Sequence, residues 1–342
     1  MSDDRIRPRF DELSFSQRLG EHAPLLLAPV LAALGLIAIG DPTTWLTLTV
    51  AGLAMGLMIF IMASGLTIVF GLMDVINFGH GAFVAVGAFV GVTVLGVLSG
   101  WTGTPDIVMN ISAILLAILA AMIATGAMGW LFERVIVMPV YGFHLKQILV
   151  TMGGLIVTEQ MIHVIWGPDA LHIARPETLR GSVVVFGAAI EKYRILAVAI
   201  GLILFFAMRH ILRSTRIGLL VRAGVENGEM VEALGYRIKA LFLWVFVAGS
   251  ALAGLGGVMW GLYQETITAQ MGSEIMVLVF VVVIIGGLGS VEGCFIGALL
   301  VGLLSNYAAF LVPKVALVST IALMVAVLMW RPQGLYPVVK AK

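Results

Sequence analysis

Two groups of polar side chains lie inside apolar sequence, where such groups are costly in lipid and normally face a protein interior or a water-filled path. The first is Asp74, Asn77 and His80, at the junction of two long apolar runs and interleaved with Gly71, Gly79 and Gly81. The second is Glu159, Gln160 and His163, within a further run. The Asn77 amide and His80 imidazole are able to hydrogen-bond a passing polar solute, or to satisfy backbone groups freed where a helix breaks. Glycines beside them let backbones approach closely and permit such a break. Asp74 is expected to cap the helix that follows it, with pairing to an arginine as the alternative. Glu159 and His163 are spaced i, i+4 and share one helix face. They suit a proton relay, a solute contact or an interhelical hydrogen-bond cluster. They do not suit a metal, because no third ligand is near. Transporters use broken helices between apolar segments to present backbone to a solute. The pathway candidates are therefore Asn77, Gly79, His80, Gly81, Glu159, Gln160 and His163.

The elements that hold these residues must be membrane helices. Of 342 residues, 61% are hydrophobic and 11% charged, with mean hydropathy +1.08. Soluble domains carry about 25% charged residues, so this chain has too few to cover a surface in water, and lipid is its solvent. The formal net charge of +1 says little about partners, and nothing points to nucleic acid. The single cysteine, Cys294, lies in an apolar run and reads as small hydrophobic filler. A membrane enzyme would need a nucleophile with a base, or several ligands at one depth, and neither is evident. There is no Gly-x-x-x-x-Gly-Lys-Ser/Thr loop, so the chain does not itself hydrolyse ATP. No catalytic residue, metal or cofactor is expected.

A crossing helix needs about 20 apolar residues. Such runs fall near 24–40, 46–72, 80–99, 107–131, 147–166, 193–211, 240–262, 275–288, 293–311 and 315–330. The first, eighth and last are short. The expected fold is all-α: a polytopic transmembrane helix bundle of about eight to ten spans, some broken or re-entrant, with a cytoplasmic coupling helix. Residues 1–23 read as a cytoplasmic arm, 24–336 as the membrane domain and 337–342 as a cytoplasmic tail. The first run is not read as a signal peptide, because its leading segment is long and contains acids and Gly40-Asp41-Pro42 is a poor cleavage site. Orientation follows the basic residues of short loops. Arg209, Arg213, Arg216, Arg222, Arg237 and Lys239 share one segment and Arg134 and Lys146 another, while the loops near 41–45, 100–106 and 263–274 hold none. Ten spans put these basic segments and both termini in the cytoplasm. The mixed-charge 167–192 loop then lies outside, as a hairpin or short helix.

Between the sixth and seventh spans, Glu226, Glu229 and Glu232 with Met230, Val231, Ala233 and Leu234 have helical spacing, and Gly235 follows at a C′ position. A short amphipathic helix ended by glycine suits a groove on another protein; a solvated connector is the plainer alternative. There is also an internal echo. His80-Gly81-Ala82-Phe83 and Glu292-Gly293-Cys294-Phe295 each precede a Gly- and Ala-rich span, and paired interruptions of this kind point to a transporter repeat. Glu292 is expected to cap its span, and Gly286, Gly287 and Gly289 to allow close packing or a re-entrant turn.

Taken together, Gly65-Leu66-Thr67, Phe70-Gly71, Asn77-Phe78-Gly79-His80-Gly81 and Gly87-Ala88 resemble permeases of the branched-chain amino-acid class of bacterial ABC importers. The stretch from Gly286 through Gly297-Ala298 and the segment Trp330-Arg331-Pro332-Gln333-Gly334-Leu335 are similar too, so the likeness runs from about residue 46 to 336. Glu232-Ala233-Leu234-Gly235 resembles the end of the family's coupling helix, which docks on an ATPase subunit. The resemblance implies a permease subunit in the bacterial inner membrane, forming half of the path for a small polar solute such as a branched-chain amino acid, amide or urea. It implies four kinds of neighbour: a second related permease, two ATP-binding subunits that use the ATP and magnesium, a periplasmic solute-binding protein and membrane lipid. Coupling would fall to Arg216, Arg222, Glu229, Glu232, Ala233 and Gly235. The rival is a passive small-solute channel or a proton-coupled carrier.

Overall fold

In the computed structural model, residues 15–226 and 228–336 are described, without the side chains of 15–22, 217, 222, 225, 226, 229 and 317. The first helix, α1 (Phe15–Ile39), begins inside the expected N-terminal arm; the rest of the arm and the 337–342 tail lie outside the described residues. Asp41 starts the next one. Its carboxylate accepts the Thr44 N–H at 2.8 Å and the Thr43 and Thr44 hydroxyls at 2.7 and 2.6 Å, and Pro42 occupies the first turn, where its missing N–H costs nothing. The hydroxyl of Thr44, then that of Thr43, holds the carboxyl down at about 2. From this cap runs α2 (Pro42–Met73), whose buried side chains make it the axis of the bundle.

Around it stand α3 (His80–Val97), the single turn α4 (Ser99–Thr102), α5 (Ile107–Phe132) and α6 (His144–Trp166). After α5 the chain continues through a π-helical turn, Glu133–Val137. Strands β1 (Leu171–His172), β2 (Ser182–Val185) and β3 (Ala188–Glu191) precede α7 (Lys192–Ser214), α8 (Arg216–Glu226), α9 (Gly228–Ala233) and α10 (Ile238–Gln264). Strand β4 (Thr266–Ile267) then leads to α11 (Met271–Gly286), α12 (Val291–Leu311) and α13 (Pro313–Trp330). The core lies where α2, α3, α5, α10 and α12 meet. Small residues make this contact close. A methyl group on Gly65 would collide with the Gly249 carbonyl of α10, and one on Gly87 with Gly254. In lipid, where apolar burial drives little association, such backbone approach supplies the packing energy.

Among the described residues, seven helices are long and apolar enough to span a membrane, and three shorter apolar ones are Ala23–Ile39, Met271–Gly286 and Val318–Trp330. Each expected run is thus a helix. The 167–192 loop holds both expected forms, a 3₁₀ turn at Glu177–Leu179 and the β2–β3 hairpin, while β1 pairs antiparallel with β4. Arg175 clamps this layer to α10: its guanidinium meets Glu191 at 3.0 Å and Glu265 at 2.9 Å, and donates to the carbonyls of Leu262 and Tyr263.

Candidate functional site: the α2–α3 break and its neighbours

α2 ends at Met73, and Asp74 stops it. Asp74 adopts a left-handed conformation (φ 52°) and its N–H closes on the Phe70 carbonyl, a geometry that aspartate tolerates better than most residues. This corrects the expectation that Asp74 caps the following helix; the N-cap of α3 is Gly79, which has no side-chain cap. The chain then climbs back along α2. The His80 imidazole donates from Nε2 to the Met62 carbonyl at 2.9 Å. Met62 lies eleven residues before the end of α2, or about 16 Å at the helical rise. The first residue of α3 is therefore deep in the bundle, and the break is re-entrant. His80 thus bonds a carbonyl in the middle of α2 and not one freed at the break.

Asn77 occupies the turn at 1% exposure, and neither its Oδ1 nor its Nδ2 has a partner among the described residues. An unsatisfied buried amide costs on the order of 1–3 kcal/mol, so the turn is held by its neighbours. The Phe78 N–H donates to Thr151 Oγ1 of α6 at 3.2 Å. A side chain on Gly79 would run into the Phe132 ring, and one on Gly81 would approach the Gly272 carbonyl of α11 to 2.5 Å. The Gly81–Gly272 contact puts the beginning of α11 at the depth of the beginning of α3. Two helices running in opposite directions thus start beside each other within the bundle.

The second polar group joins this place from α6, the outermost helix of the set. His163 Nε2 lies 3.2 Å from Gln270 Nε2, the residue before α11. His163 Nδ1 and Glu159 Oε1 are buried without a partner among the described residues. Gln160 is exposed, on a different face from Glu159 and His163, among Ile156, Met161 and Val164. So His163 reaches the start of α11, Glu159 lies one turn earlier on the same face of α6, and Gln160 points elsewhere. Among the described residues no three His, Cys, Asp or Glu side chains are grouped to hold a metal.

Glu274 is a candidate that the sequence reading did not raise. It sits exposed in the first turn of α11, whose neighbours Met271, Gly272, Ile275 and Met276 are buried. The available sign was a carboxylate at the head of an otherwise apolar helix. Glu292 needs a correction: Ser290 caps α12 by accepting the Gly293 N–H at 3.1 Å, while Glu292 pairs with Arg209 at 3.3 Å and Arg213 at 2.6 Å at the end of α7. It is a strut between helices.

On the side where α7 ends, α8 and α9 form the expected amphipathic connector. The end of α9 is a Schellman motif: Tyr236 N–H donates to Val231 O at 3.2 Å and Gly235 N–H to Glu232 O at 2.9 Å. Gly235 has φ +89° with open space around it. Val231 is buried, and Glu232, Ala233 and Arg216 are exposed. The Arg222 and Glu229 side chains lie outside the described residues.

Residues 48–328 match the family described as branched-chain amino acid transport system / permease component. The high-affinity branched-chain amino acid transport system permease protein BraD of Pseudomonas aeruginosa is 28% identical over 295 residues, covering 84% of this chain and 94% of its own. The corresponding protein LivH of Escherichia coli K12 is 26% identical over 296 residues, covering 83% and 92%. A probable branched-chain amino acid transport permease protein, LivM of Methanocaldococcus jannaschii, is 32% identical over 107 residues, covering 31% of this chain and 30% of its own.

Proposed function

Matched over most of its length, the chain belongs to the family of branched-chain amino acid transport system permease components, and from that membership we propose that it forms half of the path of an ATP-driven importer for a small aliphatic amino acid. It is a multi-pass membrane protein and a transport subunit. The proposed partners are a second permease, two ATP-binding subunits and a periplasmic solute-binding protein, in a bacterial inner membrane with both termini cytoplasmic.

The observation that carries the reading beyond the family is the α8–α9 connector, a short helix with exposed Glu232 and Ala233 and a glycine-locked end. On the orientation set by basic residues, it faces the compartment that holds ATP. ATPase closure moves α9, and α10, which starts just after it, carries the motion to α2, α3 and α5. Rigid-body rocking of this kind is the common means of alternating access. Within the path we assign Glu159, His163 and Glu274 to the solute-facing side. A charge at membrane depth faces a partner or water rather than lipid. Asn77, Gly79, His80 and Gly81 hold the re-entrant turn from behind, with the unspent Asn77 amide nearest to a solute role. Gln160 belongs to the surface that meets the second permease.

The test is reconstitution. The chain co-expressed with its genomic neighbours should co-purify with ATPase subunits, and proteoliposomes should accumulate labelled leucine, isoleucine or valine only with ATP and the binding protein. Uptake by the chain alone, without nucleotide, would overturn the proposal.

A further inference from the structure

A cavity of about 1050 Å³ opens between the α9–α10 junction and the end of α5. That is at the upper end of the range of small-ligand pockets. Its lining includes the apolar Met138, Phe242 and Leu243. Arg134, Arg237 and Lys239 also line it. All three are exposed, and among the described residues none makes an ion pair with a carboxylate. Two carboxylates line it as well, Glu133, which is buried, and Glu232, which is exposed. Three cations and two acids therefore share the cavity with apolar side chains.

Its position selects the occupant. The apolar helix α5 ends and α10 begins here; the exposed Trp130 (47%) lies under the guanidinium of the lining residue Arg134, and the exposed Trp244 (66%) follows the lining residue Leu243. Exposed tryptophans at span ends mark the headgroup level. A cleft at that level, lined by both apolar and basic side chains, matches an amphiphile with a negative head. Basic pockets between spans on the cytoplasmic side bind anionic headgroups. We propose that this cavity binds an anionic phospholipid, its phosphate held by Arg237, Lys239 and Arg134 and its acyl chains lying on Met138, Phe242 and Leu243. One wall is the coupling segment itself, through Gly228, Glu232 and Gly235. The lipid thus ties α9 to the end of α5 and steadies the element on which an ATPase would push. The inference rests on the cytoplasmic placement of that segment in the proposed function.

The test is lipid retention by the full complex, delipidated in mild detergent and offered palmitoyl-oleoyl phosphatidylglycerol or phosphatidylcholine, read by native mass spectrometry. Phosphatidylglycerol should be retained preferentially. Arg237→Ala and Lys239→Ala should each weaken its retention on the order of fivefold, while the exchange Arg237→Lys with Lys239→Arg should preserve it. Unchanged gel-filtration profiles would show that the alanine variants fold. Equal retention of the two lipids, or a phosphatidylglycerol preference unmoved by both alanine variants, overturns the proposal. So does full displacement of the lipid by inorganic phosphate, which would make this a simple anion site. ATP-driven uptake without lipid preference would sink only this inference, whereas ATP-independent uptake would sink the transport reading and leave lipid retention as a separate result.

Discussion

Gly235 offers the sharpest perturbation. Its φ of +89° lies in the left-handed region, and among the described residues nothing stands within 4 Å of where a methyl group would go. The penalty of substitution is thus conformational, not steric. A residue with a side chain in that region costs roughly 1–2 kcal/mol, a factor of about 5 to 30 in a local equilibrium. The motif it closes, with Tyr236 bonded to Val231 and Gly235 to Glu232, ends a helix of 6 residues. A helix that short has little intrinsic stability, so the loss falls on the population of docked α9. Damage should follow tolerance of the left-handed region, with Gly235→Asn mild, Gly235→Ala intermediate and Gly235→Val severe. The assay is the ratio of solute transported to ATP hydrolysed in proteoliposomes. The ratio should fall along that series, by about 5- to 30-fold at alanine, with the melting temperature of the bundle unchanged. Equal ratios for glycine and valine would refute the reasoning, as would a collapse of the whole fold.

His80→Leu removes the donor to Met62 and should lower stability by about 1–3 kcal/mol, with His80→Gln recovering much of it; thermal unfolding in detergent checks both. Gly81→Val drives a side chain into the Gly272 carbonyl, which lies 2.5 Å from the position of its first carbon. Overpacking of this kind costs about 1–3 kcal/mol, and uptake should fall further than melting temperature because α3 and α11 are forced apart. Asp41 sets a pH dependence. Its carboxyl is held at about 2 in the folded state, below the unfolded value of about 3.9. Its contribution is therefore complete above the unfolded value and lost as pH falls toward the folded one. A carboxyl-carbon titration should show a midpoint near the folded value, rising toward the ordinary range when Thr43 and Thr44 are replaced by valine.

Much of the fold was legible because lipid enforces length and apolarity. Ten apolar runs were expected, and among the described residues each forms an apolar helix, seven of them long and three shorter. The glycine at the end of α9 was legible from local chemistry alone, since few residues other than glycine occupy that position easily. Asp74 and Glu292 were misread for a common reason. A carboxylate near a helix start matches the capping pattern, and only tertiary structure reveals that Asp74 closes the previous helix and that Glu292 reaches across to Arg209 and Arg213. Glu274 went unnoticed because what sets it apart is its depth. The starts of α3 and α11 meet through Gly81 and Gly272, a contact between residues far apart in sequence that no local pattern encodes. The Arg175 clamp is likewise invisible, being assembled from residues on two separate loops.

The account depends on an ATPase gripping α9, and disulfide trapping tests that most directly. Cys294 is buried and leaves a quiet background. Glu232→Cys, paired with single cysteines across the groove of the partner ATPase, should cross-link in the assembled transporter, and the yield should change when nucleotide is added. A cysteine at 232 that stays unlinked to the ATPase in an actively transporting complex, or that reacts with impermeant reagents only from the periplasmic side, would contradict the account.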